Sequence, residues 1–211
     1  MSEPDLELEV AWEQHITADH ALLDRLLARY REKHRRYHTA IHVAWAIRHV
    51  VELAASEPID HLDEIVAAAF YHDAVYEAAY PANERASARL ARRDLTTIGW
   101  DADAVERVGL MIEATEHGAA GAEPTDGDTA VLLDADLAIL GADPAGYSAY
   151  VAGVRSEYRH VVDDDWRTGR AAVVQGFLDG ATIYRTPSGR DRWEARARAN
   201  LAAELAALVT S

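Results

Sequence analysis

The stretch His61-Leu62-Asp63-Glu64-Ile65-Val66-Ala67-Ala68-Ala69-Phe70-Tyr71-His72-Asp73 decides how the rest of the chain is read. From Ile65 to Tyr71 it is apolar on nearly every side, which predicts a central, buried helix. That helix then ends on a histidine and an aspartate. A helix-ending turn is the ordinary setting for such an aspartate, but at the end of so apolar a run a carboxylate is costly to bury without a partner. Neighbouring helical residues point about 100° apart, so His72 and Asp73 share one ion only over the helix end or where the turn is distorted.

On the N-terminal side, apolar residues recur at three- and four-residue spacing from Ala21 to Tyr30. They predict a helix ending near Glu32. A second begins close to Thr39, carries Ile41, Val43, Trp45, Ile47 and Val50, and is stopped by Ser56-Glu57-Pro58. On the C-terminal side, Asn83 to Ile98 reads as a polar amphipathic helix stopped by Gly99. Asp101 reads as the N-cap of a helix reaching His117, and Gly118 to Asp128 as a loop. Thr129 to Leu140 returns to the core. The last third is helical, with interruptions at residues 141–144, 163–165 and 186–189. No segment has the two-residue period of a strand, and no repeat or linker is evident. The expectation is one all-α domain over residues 1–211, a helical bundle with its site between core helices.

Two further segments place ligand-type residues in apolar sequence. His38 and His42 are four apart and share a helix face, a pair that taken alone is more often exposed or a satisfied core group. Val131-Leu132-Leu133-Asp134-Ala135-Asp136-Leu137-Ala138-Ile139-Leu140 sets two carboxylates among apolar side chains. One of them could be an N-cap; two suggest a buried cation. A shell mixing imidazole and carboxylate suits Mn, Fe, Co, Ni or Zn, with Mg a further option.

Composition bounds the function. The chain has 211 residues, 49% of them apolar, and a formal net charge of -15. That charge disfavours binding to nucleic acid polymers, which needs a basic face. The acidic opening Met1-Ser2-Glu3-Pro4-Asp5 does not read as a signal peptide, no uncharged run has membrane-spanning length, and there is no cysteine. A cytoplasmic protein, with no membrane partner, is the expectation; a homo-oligomer is compatible with it. Two basic clusters, residues 29–36 and 185–198, read mainly as solvated faces.

The order His42, His72-Asp73, Asp136 on separate helices resembles the HD-domain metal-dependent phosphohydrolases. Ala135-Asp136-Leu137 is similar to that family's final aspartate with its apolar neighbour, which favours Asp136 over Asp134. Arg35-Arg36-Tyr37-His38-Thr39-Ala40-Ile41-His42 resembles the Tyr-His-Asn-x-x-His element of cyclic nucleotide phosphodiesterases, distant members of the superfamily. Across most of its length the chain resembles a group of bacterial predicted HD phosphohydrolases. The similarity lies in Tyr37-His38-Thr39, His72-Asp73-Ala74-Val75-Tyr76, Asn83-Glu84, Ala114-Thr115-Glu116-His117 and the segment from Asp134 to Gly141. It extends through Arg155-x-Glu157-Tyr158, Ile183-Tyr184 and Ala199-Asn200-Leu201.

The resemblance implies a divalent metal on His42, His72, Asp73 and Asp136 and a small phosphorylated substrate, a nucleotide or another metabolite. It assigns His38 the role of acid to the leaving oxygen and leaves Asp73, or Asp136, to take a proton from water. Arg35 or Arg36 is a candidate for holding phosphate, and Glu84 for orienting water or binding a second ion. His117 is either a helix-end charge or a further site residue. Two competing readings are a ferritin-like di-metal oxidase and a metal- or nucleotide-binding sensor without catalysis. The first needs two Glu-x-x-His pairs, and only Glu157-Tyr158-Arg159-His160 is present.

Overall fold

In the computed structural model, residues 3–78, 80–116 and 126–210 are described, and among them there are helices and no strand. The fold is all-α. The apolar run forms α4 (Leu62–Tyr71), every residue of which from Glu64 onward is buried. Around it lie α1 (Glu3–His15), α3 (Ala40–Ala54), α5 (Asn83–Thr97), α6 (Ala102–Glu113) and α7 (Gly127–Asp136), each packed directly on α4. Between α1 and α3 runs α2 (His20–Tyr30), which buries Leu22, Leu23, Leu26, Leu27 and Tyr30 along one stripe.

Aspartates start many of these helices. Asp19, Asp101, Asp126 and Asp143 each accept backbone N–H groups from the first turn that follows, which would otherwise be orphaned. Pro144 opens α8 (Pro144–Glu157), where its missing N–H costs nothing. Gly99, with φ of 86°, ends α5 in a left-handed turn that side chains beyond glycine seldom adopt.

The chain then continues through α9 (Asp163–Asp179), a short turn α10 (Pro187–Gly189), a π-type turn over Arg190–Glu194, and α11 (Ala195–Thr210). One connected apolar cluster reaches from Leu8 and Trp12 through α4 to Tyr184, Trp193 and Leu201.

The structure differs from the sequence expectation in four places. The acidic N-terminus is helical: in α1, Leu8 and Trp12 bury completely one turn apart while Glu7 and Glu13 are exposed. Gly127 and Asp128 belong to α7 rather than to the preceding loop, because Asp126 caps the helix. Helix α6 stops at Glu113, four residues before His117, which lies outside the described residues. Asp163, Asp164 and Asp165 do not interrupt a helix; they are the first turn of α9, where carboxylates favour the positive end of the helix dipole.

Candidate metal centre

Helix ends build the site. His72 is the C-cap residue of α4 and Asp73 follows it, so both project over the end of the central helix. Asp136 is the last residue of α7, where the chain tightens into a 3₁₀ turn (Leu137–Gly141). His42 comes from the buried face of α3. His42 Nε2 lies 3.0 Å from His72 Nε2, and His72 Nε2 lies 3.0 Å from Asp73 Oδ2. Asp136 Oδ1 is 3.1 Å from His42 Nε2 and 3.4 Å from His72 Nε2. The ligand atoms of His42, His72 and Asp73 all lie within 4.8 Å of one another, so this group could hold a metal ion.

The electrostatics agree with the geometry. Burial would push both imidazoles toward the neutral form, but Asp136 and Asp73 outweigh it and raise the pKa of His42 and, more strongly, of His72. Burial would likewise raise Asp73, yet His72 and His38 hold its carboxyl well below the ordinary range. Two carboxylates and two ring nitrogens facing one point call for a shared positive charge, which a divalent cation would supply. His72 Nδ1 lies 2.9 Å from the Ala69 carbonyl, which fixes the ring so that Nε2 keeps its lone pair toward the cluster. The donor set therefore fits a divalent ion.

Asp134 has a different task, although it is only two residues from Asp136. Its Oδ1 accepts from the Arg185 N–H at 2.8 Å, and its Oδ2 accepts from both the N–H and the hydroxyl of Thr186 at 2.7 Å. It ties α7 to the turn that leads into α11. The tie is close enough that a Cβ on Gly189 would collide with the Asp134 carboxylate.

A cavity of about 560 Å³ opens from His72, Asp73 and Asp136. His38 stands on its wall, with its ring stacked on Tyr76 at 4.1 Å and its Nδ1 2.7 Å from Glu157 Oε2. Sequence reading quoted Glu157 in the Arg155-x-Glu157-Tyr158 element but assigned it no place in the site. Its carboxylate accepts the backbone N–H groups of Arg36, Tyr37 and His38 and the hydroxyl of Tyr76. Burial alone would raise its pKa; His38 and those N–H donors overcome this and lower it to about 2. The signal that could have placed it is that element itself, since nothing in the local helical pattern sets Glu157 apart.

The remaining candidates divide. Glu84, in the first turn of α5, lines the cavity. Arg35 does not. Its side chain is fully buried and donates to the carbonyls of His38, Asp73 and Ala74 and to Glu32, so its guanidinium fastens the doublet's backbone rather than facing a phosphate. Arg36 is exposed, outside the cavity, and donates to the carbonyls of Lys33 and Arg35. His117 cannot be placed, since it is outside the described residues.

No family model, curated protein or solved structure matches this chain. The likeness to HD-domain phosphohydrolases thus rests on the motif residues themselves. No helix among the described residues is long and apolar enough to cross a membrane.

Proposed function

We propose that this chain is a metal-dependent phosphohydrolase acting on a small phosphate ester, a nucleotide or another phosphorylated metabolite. The observation that carries the reading is the meeting of His42, His72, Asp73 and Asp136, the last three of which line a cavity that also presents His38. His42 and His72 through Nε2, with the carboxylates of Asp73 and Asp136, would hold a divalent ion of the Mn, Fe, Co, Ni or Zn type, Mg being the alternative. Such an ion supplies an acidified water and offsets phosphoryl charge.

The chain's own residues do the rest. Asp73 is kept ionised by its histidine neighbours and is the nearest base for a proton released from water. His38 has Nδ1 committed to Glu157, which leaves Nε2 to deliver a proton to the departing oxygen. Tyr76 and Glu157 hold that ring between a stacking face and a hydrogen bond. Phosphate affinity falls to the metal, because neither Arg35 nor Arg36 faces the cavity.

The test is a panel of phosphomonoesters and phosphodiesters, nucleotides included, run with several divalent metals after chelator stripping. Metal-dependent release of phosphate or alcohol supports the reading. Binding of a nucleotide with no turnover under any metal would make the chain a sensor module instead.

A further inference from the structure

If the centre is hydrolytic, as proposed above, the rest of the cavity bears on what it hydrolyses. Tyr37 lines the wall beside the metal ligands, with its ring 4.8 Å from that of His42. Its hydroxyl is buried and has no hydrogen-bond partner among the described residues. Buried hydroxyls are rarely left unpaired, so an acceptor belongs here that the described residues do not provide. A phosphoryl oxygen above the ion is such an acceptor.

Beyond that point the wall carries acids and few cations. Asp73 and Asp136 belong to the metal group, but Glu84, Glu116 and Asp165 also line the cavity. None of these three side chains has an ion pair or hydrogen bond with a described residue. Of the two arginines near this wall, Arg170 lines it and is engaged by both oxygens of Glu204 and by the Tyr150 hydroxyl, while Arg155, behind Trp166, is engaged by Asp163 and the carbonyls of Tyr158 and Val161. His38 is engaged by Glu157. A bound ion would offset the metal-binding carboxylates, whereas Glu84, half-buried, and Glu116 and Asp165, both exposed, have no counter-charge among the described residues.

Aromatic side chains line the same cavity: Tyr76, Tyr80, Tyr158 and Trp166. Ring faces attract cations, and the guanidinium of Arg155 already sits 5.3 Å over the Trp166 ring at this wall. A second phosphate or a carboxylate on the substrate would meet these acids without a counter-charge. An ammonium group would meet both the carboxylates and the rings.

We propose that the substrate is a phosphate monoester of a positively charged alcohol, an amine or quaternary ammonium on an apolar frame, with its phosphoryl oxygen accepting from Tyr37. Polyphosphates and carboxylated esters are rejected by charge.

A matched pair of aryl esters tests this on the full chain reloaded with Mn: 4-(trimethylammoniomethyl)phenyl phosphate and 4-carboxyphenyl phosphate. The expected result is a kcat/KM ratio of about 10-fold or more in favour of the cationic ester at low ionic strength, carried mainly by KM and shrinking with salt. In the double variant Glu116→Gln, Asp165→Asn, the ratio falls several-fold. Circular dichroism and metal content verify that this variant folds, and the wild-type pair decides the matter if it does not.

A ratio near one, a preference for the carboxylated ester, or a ratio unchanged in a folded double variant overturns the inference while leaving the hydrolase reading intact. So does efficient turnover of a nucleoside triphosphate with a second divalent ion bound. If no ester is cleaved, the hydrolase reading fails. Calorimetric titration with (4-hydroxybenzyl)trimethylammonium and with 4-hydroxybenzoate then decides the charge preference on its own: tighter binding of the cation supports it, and equal or reversed affinity sinks it.

Discussion

Nδ1 of His38 lies 2.7 Å from a carboxylate oxygen of Glu157, a residue 119 positions later in the chain. The bond holds a ring that stands near the metal group without being part of the His42–His72–Asp73 set. His38→Ala should therefore retain metal while slowing ester hydrolysis by about 100- to 10,000-fold, the range for a general acid. The loss should shrink on nitrophenyl esters, whose leaving oxygen needs little protonation. Stripping of the metal by this substitution would make His38 a ligand; unchanged turnover would return it to an ordinary wall residue.

Glu157 also sets an acid limit on the fold. Its folded pKa of about 2 lies below the ordinary glutamate value of 4.5, so the stability it contributes is complete above 4.5 and is lost as the pH falls toward 2. A shift of that size corresponds to on the order of 3 kcal/mol. The gap between wild type and Glu157→Gln in denaturant titrations should narrow by about 2 kcal/mol from pH 7 to pH 3. Parallel curves across that range would mean that Glu157 carries none of the acid sensitivity.

Metal content should separate the two aspartates of α7. His72→Ala, Asp73→Ala and Asp136→Asn should each lose the ion on purification, because the remaining donors hold it poorly and a buried partner is left unpaired. Asp134→Asn should keep it. An amide there offers one acceptor to three donors, at a cost of about 2–3 kcal/mol in unfolding free energy. Elemental analysis paired with urea melts reads both effects, and metal loss in Asp134→Asn would show that the assignments are reversed.

Arg35→Ala should destabilise the protein by about 2–4 kcal/mol, since it leaves buried carbonyls of Asp73 and Ala74 without their donor. Arg36→Ala, at an exposed position, should stay within about 0.5 kcal/mol of wild type. Equal effects in thermal or urea melts would contradict the placement of the two guanidinium groups.

What could be read from sequence depended on how local its cause was. The central helix was legible because seven consecutive apolar side chains leave no polar face, and the cap at Asp101 because its partners are two and three residues away. Helix α1 was not, since only Leu8 and Trp12 mark its buried side among five acids from Glu3 to Glu13. The candidate ligands stood out as polar residues in apolar sequence. The roles of Arg35 and Glu157 did not, because each is set by backbone that only the tertiary fold brings near. Asp134 and Asp136 look alike from within α7; Arg185 and Thr186, far along the chain, are what distinguish them.

The metal group draws on α3, the end of α4 and the end of α7, three stretches that adjoin one another only through folding. A bound ion would be a topological clasp, closing one loop between His42 and His72 and a longer one onward to Asp136. Such closures remove freedom from the unfolded chain, so the gain grows with the length of chain enclosed. A protein with no cysteine would thus have a cross-link that is reversible by chelation rather than by reduction, its tightness set by the free metal concentration around it.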